Sequence, residues 1–253
     1  MIASLAMYDW PQVAAEHDRL WSLIRAALAD EGIDAPEALT RNGSLWDIWE
    51  SPDLLLGQTC GMPYRTRLHG HVTLVGTLDY ALPDAPPGYY YSQLITRADE
   101  PGDVLDFIDR TLAFNGQDSQ SGWAAPQNHV APLIFKHTRH TGAHRDSAHA
   151  VATGRADIAA IDAVTWRLIG THMPELAAKL RVIGHTAPTP GLPLITAAHR
   201  DPAPIARAVT NAVTSLSPAD RDMLGLCGLV MIPASAYISV PTPPPPSQDV
   251  PVN

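Results

Sequence analysis

Short apolar runs alternate with helical stretches, stop at a proline cluster, and then begin to alternate again. No other feature constrains this chain so strongly. The run IASLAMYD predicts a strand ended by Trp10 and Pro11. Pro11 suits the first turn of a helix, because its fixed φ is helical and its missing N–H is not needed there. That helix runs to about Asp30, with Val13, Leu20, Leu23, Ile24, Ala27 and Leu28 recurring at helical spacing. A weak strand (Ala35 to Arg41), a short helix (Ser44 to Glu50), the strand DLLLGQTC, a helix (Met62 to Leu68) and the strand VTLVGTLDY follow. Such alternation predicts a mostly parallel sheet with helices on its faces.

The segment PDAPPG, Pro83 to Gly88, marks a boundary, and YYYSQLITR is a strand long enough to cross into a second lobe. The alternation then restarts with a helix (Val104 to Arg110), a strand (Thr111 to Asn115) and a helix (Ser121 to Leu133). A helix (Arg145 to Thr153), a strand (Ala156 to Ile161, ending in Asp162) and a helix (Ala163 to Ile169) complete it. LRVIGHT reads as the return strand, and GLPLITAA with helices from Pro202 and Pro218 rejoins the first lobe. The expected division is 1–91 plus 183–240 as lobe 1, 92–182 as lobe 2, and a proline-rich tail over 241–253, extended or disordered.

Composition narrows the function. A formal net charge of −9 gives a nucleic-acid role no electrostatic support. An anion site in such a chain has to rely on fixed hydrogen-bond donors rather than a basic patch. Cys60 and Cys227 lack metal-ligand spacing and are too few for a disulfide framework, although one bridge between them stays open. No apolar run approaches the ~18 residues of a membrane span, so no membrane insertion is expected. MIASLAMYDWPQ lacks a basic n-region and a long apolar core, so no signal peptide is read in it: the protein is either cytoplasmic as written or given without a leader.

The chemistry concentrates between residues 111 and 166. TLAFNGQDSQSGWAAP reads as a strand, a loop and a helix start, which exposes unpaired N–H groups beside small hydroxyls. Ser119, Gln120, Ser121 and Gly122 are therefore candidate anion ligands; simple capping by the serines is the alternative. Asp118 either points away or caps the helix itself. HTRHTGAH offers His137, His140 and His144, with His149 close behind, but Gly142 breaks any helical ligand spacing and acidic partners are missing, so no metal is expected.

TLAFNGQDSQSGWAAP, TGAHRDSAHAVATGRADIAAID and DLLLGQTCGMPY together resemble the phosphate/phosphonate substrate-binding proteins of ABC importers, over about residues 3 to 215. The resemblance implies a type II periplasmic-binding-protein fold, with two α/β lobes joined by crossing strands and ligand held between them. It implies a non-enzymatic monomer that binds a small oxyanion (phosphonate, phosphate or a phosphate ester), uses no cofactor, and delivers to an ABC permease. It places His144 against the anion and Tyr64 and Tyr8 as cleft aromatics. Gln58, Thr59 and Cys60 end their strand where side chains face the crevice of such folds; packing is the alternative for Tyr8 and Cys60. Asp162 pairs with a ligand ammonium or caps the following helix, and Trp10, Trp123 and Trp166 are pocket walls or core. His144 is expected to bind as imidazolium, from a free pKa near 6.5; a turn or capping histidine is the alternative. The competing function is a cytoplasmic enzyme on the same fold, acting on a phosphorylated or thiamine-precursor-like metabolite.

Overall fold

A computed structural model describes residues 1–246. Its strands are β1 (Ile2–Ser4), β2 (Leu54–Gln58), β3 (Val72–Asp79), β4 (Tyr89–Tyr90), β5 (Ser92–Arg97) and β6 (Thr111–Phe114). β7 (His137–His140), β8 (Ile158–Asp162), β9 (Leu180–His185), β10 (Thr189–Pro190), β11 (Pro193–Ala197) and β12 (Gly228–Val230) complete the set. The chain divides into two units: Met1–Tyr89 with Pro190–Ser239, and Tyr90–Thr189 with the segment from Val240. The fold is mixed α/β, of the type II periplasmic-binding-protein kind.

In the first unit the strand order is β1-β2-β11-β3-β12. β1 and β2 are parallel, β11 runs antiparallel to both of its neighbours, and β12 is antiparallel to β3. Every residue of β2 is buried, as expected for an apolar strand covered on both faces. The helix Ala14–Asp30 turns His17, Leu20, Trp21, Ile24 and Leu28 inward as one stripe, and the helix Pro202–Ser215 does the same with Ile205, Ala208, Val209, Ala212 and Val213. The two helices pack on each other. Burying side chains of this size contributes about 1.5–3 kcal/mol each, before the entropy of ordering them is subtracted.

The second unit has the order β7-β6-β8-β5-β9, with β6 parallel to β7 and β8, and β5 antiparallel to β8 and β9. The helix His144–Ala152 buries Ser147, Ala148, Ala150 and Val151. No helix among the described residues is long and apolar enough to cross a membrane.

Several elements differ from the sequence reading. Ala35–Arg41 forms no strand; Pro36 removes one ladder donor, and Thr40 N–H bonding to Ala3 O at 2.7 Å is its tie to β1. HTRH, to which the sequence assigned no element, is the edge strand β7, held in register by β6 from Thr111↔His137 to Phe114↔His140. The helix expected to reach Leu133 stops at Val130, ahead of Pro132, because a residue before proline is disfavoured in the helical region. LRVIGH is not the return segment: β9 completes the second sheet against β5, and the chain crosses back between Thr189 and Pro190. Pro241–Pro246 has no helix or strand and groups with the second unit; 247–253 lie outside the described residues.

Candidate functional site

The strand β6 ends at Phe114, and the chain then loops through Asn115–Asp118 into one π turn, Gln120–Ala124, followed by the helix Ala125–Val130. Single π turns leave backbone groups outside the ordinary ladder and recur at functional sites. Ser119 caps this turn: its Oγ accepts from Gly122 N–H at 2.9 Å. The capping alternative stated for the serines thus holds for Ser119, and the cap is not made by Asp118. Ser121 Oγ lies 2.8 Å from His144 Nε2 and 3.5 Å from Ser119 Oγ. Ser92 Oγ donates to Ser121 O at 2.8 Å, and Thr186 Oγ1 in turn accepts from Ser92 N–H at 3.0 Å. The hydroxyls of Ser119 and Ser121 are thereby fixed on a scaffold that includes β5.

Gly122 fills a place only glycine fits. A Cβ there would overlap Asn115 Oδ1 and stand 3.2 Å from His144 Cε1. Asn115 Oδ1 is buried with no hydrogen-bond partner among the described residues, and His144 Nδ1 is buried beside the Ala160 backbone. An unpaired buried polar atom costs about 1–3 kcal/mol, so its persistence marks a site organised for something other than stability.

His144 opens the helix His144–Ala152, whose cap is Ala143, so it is not a capping residue. Although half-buried as a residue, its ring is enclosed, and burial pushes its pKa down to about 4, with the Ala160 backbone offsetting part of the effect. This corrects the expected free pKa near 6.5: the histidine is neutral near pH 7, and with Ser121 forms a pair of neutral groups. A neutral imidazole still supplies one donor and one acceptor.

Asp162 ends β8 and caps the helix Ala163–His172, its Oδ1 accepting from Val164 N–H at 2.8 Å and Thr165 N–H at 3.0 Å. Asp162→Ala is expected to destabilise the protein by about 1–2 kcal/mol, and Asp162→Asn much less, because Asn caps nearly as well. Urea unfolding measures both, and equal losses would show that the carboxylate acts through its charge.

The remaining candidates lie in the first unit. Gln58 Nε2 donates to Tyr80 OH at 3.2 Å, and the Tyr8 and Tyr80 rings meet edge to face at 5.0 Å. Thr59 Oγ1 and Ser4 Oγ are buried with no partner among the described residues. Tyr8, Gln58 and Thr59 thus gather near the ends of β1 and β2, with Ser4 as an addition. Tyr64 sits differently: it packs in the core cluster with Ile48, Trp49 and Leu54, edge-on to Tyr237 at 5.3 Å. Cys60 and Cys227 form no disulfide. Trp123 is buried in the π turn, while Trp10 and Trp166 are half-buried. Ser92 and Thr186 carry no local signature; they join the site only through pairing of β5 with segments far along the chain.

Small hydroxyls on a loop beside the carboxyl ends of parallel strands lie where open α/β folds bind small solutes. The model of the periplasmic phosphonate substrate-binding proteins of ABC transporters matches residues 74–231, more than half of the 253-residue chain. The chain belongs to that family. The matched range contains Ser119 to Gly122, His144 and Asp162, and leaves out Tyr8, Gln58, Thr59 and Tyr64. No curated protein matches the sequence.

Among solved structures, PhnD1 of Prochlorococcus marinus in complex with methylphosphonate is 14% identical, with a TM-score of 0.67 over 92% of each chain. XAC2383 of Xanthomonas citri bound to ATP is 16% identical, with a TM-score of 0.65 over 88% of this chain and 90% of that one. A binding-protein component of an ABC phosphonate transporter from Pseudomonas aeruginosa is 17% identical, with a TM-score of 0.56 over 83% and 73%. At these identities the likeness is one of fold.

Proposed function

We propose that this chain captures a small oxyanion, a phosphonate, phosphate or phosphate ester, as a non-enzymatic monomer delivering to an ABC permease. One observation carries the reading: the Ser119–Ser121–Gly122 turn, with Ser121 Oγ held 2.8 Å from a neutral His144. Fixed neutral donors suit an anion inside a protein whose own charge is −9. The bound methylphosphonate of the Prochlorococcus protein points to the same ligand class. Tyr8, Gln58 and Thr59 are the further proposed contacts, and Asp162, which caps the helix Ala163–His172, is one only for a ligand that carries an ammonium group. Tyr64 is retained only as a residue that shapes the first unit's core.

The test is calorimetry with methylphosphonate, phosphate and ATP. Ser121→Ala is expected to weaken the best of these by about 1.5–3 kcal/mol, the worth of a hydrogen bond to a charged group. Unchanged affinity in both Ser119→Ala and Ser121→Ala would move the anion elsewhere.

The enzyme reading is kept because a Ser–His contact of this length is also a nucleophile–base geometry. The further group on His144 is the backbone of Ala160 rather than a carboxylate of the kind that orients the base in a triad. Product analysis of each bound candidate decides the matter: turnover that disappears in Ser121→Ala would establish the enzyme.

A further inference from the structure

We infer that the proline-rich segment Val240–Pro246 is a strap docked in polyproline II form on Trp123 and Asn128, which positions the π turn carrying Ser121 and Gly122. Asn128 Nδ2 donates to Pro241 O at 2.9 Å, and Trp123 Nε1 donates to Pro244 O at 3.0 Å. The two accepting carbonyls are three residues apart. Exposure along the segment repeats with the same period: Val240, Pro243 and Pro246 are half-buried, and the four residues between them are exposed. A polyproline II helix has three residues per turn, so a period of three turns one edge inward and keeps one row of carbonyls in line. The sequence VPTPPPP is suited to it, since each proline already fixes φ near the required value and little entropy is lost on docking.

The docking side leads straight to the site. Trp123 is buried, its ring lies 5.1 Å from that of Phe114 at the end of β6, and its N–H and that of Ala124 both bond to Ser119 O, at 3.2 and 3.0 Å. The indole therefore ties the tail to the turn that holds Ser119, Ser121 and Gly122. Trp123 and the tail are positioning elements in this account; neither is placed on the ligand.

The strap rests on the proposed anion site only in its binding arm, so the experiment has two arms on the full chain. Trp123→Phe keeps an aromatic ring and removes the N–H donor, while Pro243→Ser/Pro246→Ser loosens the tail without touching the turn. Hydrogen exchange of the Trp123 and Ala124 amides is expected to accelerate about tenfold in both variants, and no further when they are combined, because both delete one contact. Methylphosphonate affinity is expected to fall about tenfold in parallel. Unchanged exchange in the tail variant would overturn the strap, and so would additive effects of the two changes. If the parent chain binds none of the anions, the anion reading fails and the exchange arm still judges the strap.

Discussion

Replacing Gly122 by alanine is expected to weaken oxyanion binding by about 100-fold or more while both sheets stay folded. The reason is space, since the added methyl would overlap Asn115 Oδ1 and crowd His144 Cε1 at 3.2 Å. Asn115 Oδ1 is buried, the His144 ring is enclosed, and His144 is the group that holds Ser121 Oγ at 2.8 Å, so the methyl is accommodated only by shifting one of them. Overpacking of this kind costs about 1–3 kcal/mol. Displacing the Ser121 hydroxyl together with that of Ser119, which the Gly122 N–H holds in place, would forfeit two bonds to a charged ligand, about 3 kcal/mol or more, which is the expected 100-fold. Calorimetry measures it, and circular dichroism confirms the fold. Asn115→Gly in the same chain reopens the space and is expected to recover part of the affinity. A Gly122→Ala protein that binds like its parent would show that this turn does not hold the ligand.

The second large effect is loss of stability in acid. Burial holds the His144 pKa down to about 4, against 6.5 in an unfolded chain. Between those values the unfolded chain takes up a proton that the folded protein refuses. The stabilising contribution is therefore complete above about pH 6.5 and is lost as pH falls toward 4. At about 1.4 kcal/mol per pH unit, and allowing for the partial exposure of the residue, the loss is on the order of 2–3 kcal/mol. His17 and His129 are also lowered, chiefly by burial, and act in the same direction. His144→Gln, which cannot titrate, is therefore expected to flatten the acid limb of a urea-midpoint profile without abolishing it. Parallel profiles for parent and variant would mean that His144 is not enclosed as described. The same neutrality changes the expected ligand behaviour: affinity for a fully ionised sulfonate should be nearly flat above about pH 6.5, the unperturbed value for histidine. A steep fall with rising pH there would restore the imidazolium reading.

Much of the architecture was legible because its signals are local. Pro11 and the stripe Leu20, Ile24 and Leu28 mark the helix Ala14–Asp30, and the run LLLGQ becomes a strand buried along its whole length. The loop that bears Ser119, Ser121 and Gly122 was legible for the same reason: a strand, small flexible residues and a helix start lie consecutively in the chain. The edge strand β7 was not legible, because HTRH has no apolar alternation and becomes a strand only when β6 offers its free ladder. The assignment of β9 to the second sheet rather than to the return crossing is likewise decided by pairing with β5.

By itself, then, the sequence determined the alternation of elements, the break near Pro83–Gly88, and the serine- and glycine-bearing loop after β6. Periodicity, proline geometry and helix-start chemistry act over a few residues and need no partner. Tertiary structure alone decided which groups meet. Ser121 and His144 are 23 residues apart, Ser92 and Ser121 are 29 apart, and Trp123 and Pro244 are 121 apart. It also decided the charge state of His144, because a pKa follows from burial, and burial belongs to the packed chain rather than to the histidine.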